Sequence, residues 1–300
     1  MGIFFIVMVI GYFAGRCGRI SSETGRQLSW LVVNVANPAM ILESGSSPPG
    51  SVSGGGLLTA LLTAVMTFAF LILCAYAVPA LLKVPAGRRR IYRLMTVFSN
   101  IGFIGLPILS AAFGKESLLY GSLFIIVYNL LIYTYGRALM EKQGARKNPR
   151  EKIRQICNIG VFAALGALAL AAARVQLPPF AGTVLSMLSS LTAPLSMLVV
   201  GASIGGMKLS ELFTDRKILL LCVLKLLVLP ALGMAVVDRF VPIRALQATC
   251  LVMLATPIGS MTVMFAKDYG NEPETASKAV AVSSMLAVVT LPLLSMIFLP

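Results

Sequence analysis

Long apolar runs alternate along this chain with short polar or basic interruptions. The runs fall near 2–15, 27–46, 57–82, 91–113, 117–139, 156–174, 180–205, 217–238, 243–266 and 275–299. An α-helix needs about 20 residues to cross roughly 30 Å of hydrocarbon, and most of these runs reach that length. Lipid offers no partner to an open strand edge, so each run is predicted to be a helix. The first is the short one: Gly2 to Ala14 covers only about 20 Å at 1.5 Å per residue. The pattern predicts an all-α polytopic membrane protein with ten transmembrane helices.

The interruptions give orientation. Taking alternate connections, 20 Lys and Arg lie on one side and 4 on the other, with Lys225 inside a run. That asymmetry places the rich side in the cytoplasm and both termini outside, in a cell membrane such as a bacterial plasma membrane. No basic residue precedes the first run, which therefore does not read as a cleaved signal peptide. The longest cytoplasmic connection, Glu141–Gln155, falls at the midpoint with five runs on either side. A five-span unit begins and ends on opposite faces, so a second copy must lie upside down, as in many secondary transporters. The chain thus divides into a first repeat at 1–140, a basic linker at 141–155 and an inverted repeat at 156–300. Internal spacing supports this modestly. Pro79 to Pro107 is 28 residues and Pro230 to Pro257 is 27, but matching Phe113-Gly114 to Tyr269-Gly270 shifts the register by six.

Composition narrows the classes. Of 300 residues, 58% are hydrophobic and 12% charged, which excludes a water-soluble globule and a disordered chain. Histidine is absent, which excludes His-based triads, His metal sites and His pH switches. The net charge of +14 sits in clusters between apolar runs and reads as topology, so no nucleic-acid partner is expected. The five cysteines form no CxxC pair, and neither a disulfide framework nor a metal site is expected. Asp215, Asp238 and Asp268 lie at span ends and no base stands near a serine, so no enzymatic activity and no cofactor is expected.

Candidate chemistry gathers in the fourth and ninth runs, SNIGFIGLPIL and LATPIGSM. Gly102, Gly105 and Pro107 interrupt the first of them; Thr256, Pro257, Gly259 and Ser260 interrupt the second. Broken helices at membrane depth persist only where backbone is buried in protein or lines a wet cavity. Each second segment offers free amides and about half a positive charge, which suits an anion. A proline kink in a continuous helix is the competing reading. Lys225 reads either as a snorkelling residue or as a counter-charge or tether at the crossover. Glu43 reads as an interfacial residue or a proton carrier. Asn34 and Asn37 read as packing hydrogen-bonders, and the Gly11/Gly15 and Gly201/Gly205 pairs as close helix contacts.

NIGFIGLPILSAAFG, Asn129 in VYNLLIYTYG, PLSMLVVGASIG, KLLVLPALG and ATPIGSMTVMFAKDYG together resemble the auxin efflux carrier family. The resemblance covers nearly the full length from Asn37-Pro38 onward and is to the short bacterial members, without the long central loop of plant PIN-type carriers. It implies two inverted five-helix repeats with broken helices 4 and 9 crossing at the midplane, and export or exchange of organic anions. By that resemblance the crossover residues are Asn100, Gly102, Gly105 and Pro107 with Thr256, Pro257 and Gly259 opposite, and Asn129 is the fifth-helix polar position. The expectation is a permease for a small carboxylate working by alternating access, coupled to protons or acting as a uniporter. A receptor or channel is the alternative. Expected partners are the organic anion, the bilayer and protons, with a homodimer left open.

Overall fold

In the computed structural model, residues 2–46, 54–141, 158–206 and 213–299 are described. All regular elements among them are helical, and helix covers each apolar run. We number the helices α1 (Gly2–Arg16), α2 (22–45), α3 (Gly54–Leu81), α4 (Arg89–Val97, then 101–113), α5 (114–140), α6 (Ile159–Ala173), α7 (Pro179–Gly205), α8 (Arg216–Phe240), α9 (Arg244–Ala255, then Ser260–Asp268) and α10 (Pro273–Phe298). The second segment of α4 and α5 form one 40-residue helical run, Ile101–Met140. Near 60 Å, that run is twice the thickness of a bilayer core. It is divided at Gly114, whose φ of +79° turns the chain back and favours glycine.

Among the described residues, five helical stretches can cross a membrane by length and composition alone, and α1, α6 and the first segment of α9 are shorter apolar helices. The outer surface is apolar. Ile3, Ile6, Ile10 and Phe13 form an exposed stripe along α1, and Phe180 and Met296 are about four-fifths exposed, at 82% and 78%. Water would penalise such a surface and lipid does not. The protein is therefore a polytopic membrane protein.

Three prolines shape the helices in the same way. Pro38, Pro107 and Pro230 each follow by two residues a widened π-turn, at Val32–Ala36, Ile101–Gly105 and Leu224–Val228. The residue before each proline donates five residues back, Asn37 to Val32, Leu106 to Ile101 and Leu229 to Leu224. A proline has no amide to give and its ring pushes away the carbonyl four residues earlier; the widened turn absorbs both. The helices bend there without breaking.

Packing is cross-wise between the halves. α1 lies against the second part of α7, with Gly11 on the Leu198 carbonyl and Gly201 on that of Met8. A Cβ at Gly15 would stand 2.5 Å from the Ala202 carbonyl oxygen. The two glycine pairs read from the sequence thus face each other. In the same manner α6 packs on the second part of α2, where Gly45 meets the Ala167 carbonyl. Thr249 Oγ1 donates to the Ser117 carbonyl at 2.9 Å and ties α9 to α5. Of the 141–155 linker only Glu141 lies inside the described residues, accepting from Arg137 Nε at 2.7 Å.

Candidate functional site

The interruptions of α4 and α9 meet. Phe98, Thr256 and Gly259 are extended, with ψ of 105°, 145° and 141°. Ser99 and Ile258 form an antiparallel bridge. The Asn100 amide donates to the Pro257 carbonyl at 2.7 Å, and the Gly259 amide to the Phe98 carbonyl at 2.9 Å. Backbone groups freed from both helices therefore satisfy one another, which is what allows two breaks inside a buried core. Gly259 is required by this approach, because a Cβ there would stand 2.8 Å from the Ser99 carbonyl oxygen.

Side chains complete the accounting. Pro257 has no amide for the Met253 carbonyl, and the Thr256 hydroxyl takes that place at 3.2 Å. The Ile258 amide is held by Ser283 Oγ of α10 at 3.1 Å. Asn100 caps the second segment of α4, its Oδ1 accepting from the Phe103 amide at 3.4 Å. Lys225 is fully buried, and its Nζ donates to the Thr96 carbonyl at 3.0 Å. That carbonyl is among the last of the first α4 segment, where the helix leaves acceptors unpaired and carries partial negative charge. Lys225 caps the carbonyl end of a broken helix.

A cavity of about 230 Å³ lies against the crossing. Asn37, Ser99, Asn100, Gly102, Asn129, Asn158, Gly259 and Ser260 line it, with Ile101, Phe103, Tyr128 and Tyr133 among its apolar and aromatic walls. Both second segments begin here, so first-turn amides at Ile101, Gly102, Ser260 and Met261 have no carbonyl one turn back. Their partial positive charge favours an anion. Asn158 Nδ2 donates to Asn129 Oδ1 at 2.6 Å, and Asn129 Nδ2 to the Ile125 carbonyl at 2.9 Å. A second cavity, about 720 Å³, meets Asn100, Phe103 and Ser260 from another side and reaches Ser21, Ser203 and Lys267.

The structure brings Asn100, Gly102, Asn129, Gly259 and Ser260 together on the cavity wall. Thr256 and Pro257 lie behind it and build the break. Gly105 and Pro107 lie beyond it: α4 breaks at 98–100, and Pro107 acts through the π-turn. Lys225 is held at Thr96, away from the residues lining the cavity. Glu43, far along α2, pairs with Lys115 at 3.0 Å. Asn158 was not singled out in the sequence; an Asn immediately before the apolar run IGVF is the N-cap signal that marks it, and its Oδ1 accepts from the Val161 amide. Asn37 does more than pack, donating from Nδ2 to the Gly102 carbonyl at 3.0 Å. Among the described residues, no group of three or more Cys, Asp or Glu is placed to hold a metal ion.

Discontinuous helices that meet beside a polar cavity in a lipid-facing fold are the arrangement found at the substrate sites of many membrane transporters. The chain matches the family described as membrane transport protein over residues 2–295, and it belongs to that family, the auxin efflux carriers. It is also similar to an uncharacterized transporter of Methanothermobacter thermautotrophicus, 24% identical over an alignment of 297 residues, with 97% of this chain and 95% of that protein covered.

Proposed function

We propose that the protein is a secondary transporter for a small organic anion, a carboxylate, that alternates access around the crossing of α4 and α9. The observation that carries this reading is the antiparallel pairing at Ser99 and Ile258, which sets two helix amino ends beside one polar cavity. The cavity offers donors and partial positive charge, and the described side chains lining it carry no carboxylate to repel an anion.

Ten spanning helices in two inverted five-helix repeats suit the packing. The first helix of each half lies on the second helix of the other half, α1 on α7 and α6 on α2. A linker at 141–155, between repeats at 1–140 and 156–300, fits that arrangement. The cavity wall includes Tyr133 and Asn158, which flank that linker in sequence, and the larger cavity reaches the α1–α2 connection at Gly18 and Ser21. With the basic connections cytoplasmic and both termini outside, this is an inward-facing arrangement in the cell membrane. Glu43 is already paired with Lys115, which favours a uniporter or a proton path elsewhere over Glu43 as carrier.

Counterflow in proteoliposomes tests the reading. Preloading with an unlabelled carboxylate should drive accumulation of the same labelled acid, and its neutral amide should not compete. Equal uptake in protein-free vesicles across a broad carboxylate panel would contradict it.

A further inference from the structure

We propose that Lys267 recruits the substrate anion, drawing it along a groove that leads to the crossing of α4 and α9. The inference rests on the organic-anion reading above and deepens it.

Three spaces meet here. The cavity at the crossing and the 720 Å³ cavity share Asn100, Phe103 and Ser260. The larger one shares Ser203, Ser260 and Lys267 with a groove of about 350 Å³ between α7, α9 and α10. Among the described residues lining any of the three, only Lys267 carries a charge, and its neighbour Asp268 lines none of them. Helix geometry gives the direction of the side chain. Ser260, Val263, Met264 and Lys267 stand at i, i+3, i+4 and i+7 along the second α9 segment, and all four line the groove. Seven residues are two turns, so Lys267 lies about 10 Å along the axis from Ser260 on the same face. Helical side chains lean towards the amino end of their helix, which directs the Lys267 stem back along that face towards Ser260 and the crossing. Lys267 is exposed, and its side chain has no hydrogen-bond or ion-pair partner among the described residues. Exposed Ser203 and Ser260 line the same groove and supply hydroxyl donors. A cleft lined by one sign of charge concentrates the opposite ion without needing a fixed contact, and salt weakens the effect. A lysine in the last turn also suits the carbonyl end of its own helix. That role would turn the ammonium away from Ser260 and predicts a different result below.

The test reads the potential at Ser260 first. Protein with the 5 native cysteines replaced and Ser260→Cys added is placed in lipid nanodiscs at low salt. Its modification by a negatively and a positively charged methanethiosulfonate reagent is then timed. Lys267→Gln should lower the ratio of the anionic to the cationic rate about threefold or more, the effect of a unit charge about 10 Å away on two reagents of opposite sign. Salt at about 0.5 M should remove most of the difference. Lys267→Arg should keep the ratio. Arg90→Gln removes a charge from an exposed position that lines none of the three spaces, and should leave the ratio unchanged. In proteoliposomes with the native Ser260, Lys267→Gln should raise KM for a transported carboxylate about threefold or more at unchanged kcat, and KM should depend less on salt than in the wild type. An unchanged rate ratio in Lys267→Gln overturns the inference and leaves the anion reading standing, and so does an unchanged KM. A ratio that falls as expected in a protein that transports no carboxylate overturns the organic-anion reading, and with it Lys267 as the recruiter of that anion.

Discussion

The ammonium of Lys225 on α8 reaches the carbonyl of Thr96 on α4, at 3.0 Å and with no exposure to solvent. Removing it leaves a buried carbonyl unpaired at the end of a half-helix, a cost of roughly 1–3 kcal/mol. Relief from burying the ammonium offsets part of that. Lys225→Met is therefore expected to lower the melting temperature and the maximal transport rate while changing carboxylate affinity less than about twofold. Thermal unfolding in detergent alongside a transport titration measures both. A large loss of affinity at unchanged stability would place Lys225 at the substrate.

Gly259→Ala forces a Cβ to 2.8 Å from the Ser99 carbonyl oxygen, and neither backbone can yield without breaking the Gly259–Phe98 hydrogen bond. We expect a loss of roughly 1–3 kcal/mol in stability together with near-complete loss of transport. Gly182→Ala is the control: it is helical with open space around it, and alanine there should be neutral or stabilising by up to about 1 kcal/mol. Equal behaviour of the two variants would contradict the close approach.

Asn129 and Asn158 act as a pair through their 2.6 Å hydrogen bond. Asn129→Ala and Asn158→Ala should each weaken anion binding by roughly 1–2 kcal/mol, because water replaces the lost group only in part. The double variant should cost less than the sum, as expected for residues in contact. Strict additivity in a binding cycle would show that they meet the substrate independently.

Glu43 and Lys115 pair at 3.0 Å with side-chain exposures of 15% and 54%, so the pair contributes about 0–1 kcal/mol. Glu43→Gln should leave the pH dependence of transport as it is in the wild type. A flattened pH profile in that variant would restore Glu43 as the proton carrier.

Much of this fold was legible because the hydropathy pattern is strong and lipid permits few structures. The breaks in α4 and α9 were legible as regions, from glycine and proline beside Asn, Thr and Ser. Their positions were not. Pro107 looks like the centre of an interruption, yet the widened turn at Ile101–Gly105 absorbs its missing amide and the chain opens at 98–100 instead. Pro257 lies within its break, so the two prolines are not equivalent. The offset that pairs Asn100 with Thr256 lies closer to the observed bridge than the proline spacing does. The small-residue pairs were legible singly, but that Gly11 and Gly15 face Gly201 and Gly205 depends on a cross-wise packing no local pattern records. Where Lys225 points depends on the rotation of α8 about its axis, which an all-round apolar helix leaves open.

The central claim is that a carboxylate binds where α4 and α9 cross, and protection of Ser260→Cys tests it most directly. Ser260 opens the second segment of α9, is exposed and lines the cavity. In a background with the 5 native cysteines replaced, a charged thiol reagent applied from the cytoplasmic side should modify Cys at this position. A transported carboxylate should slow that reaction in proportion to its occupancy, and its neutral amide should not. Modification that proceeds at the same rate with saturating carboxylate, or that the amide slows equally, would contradict the account.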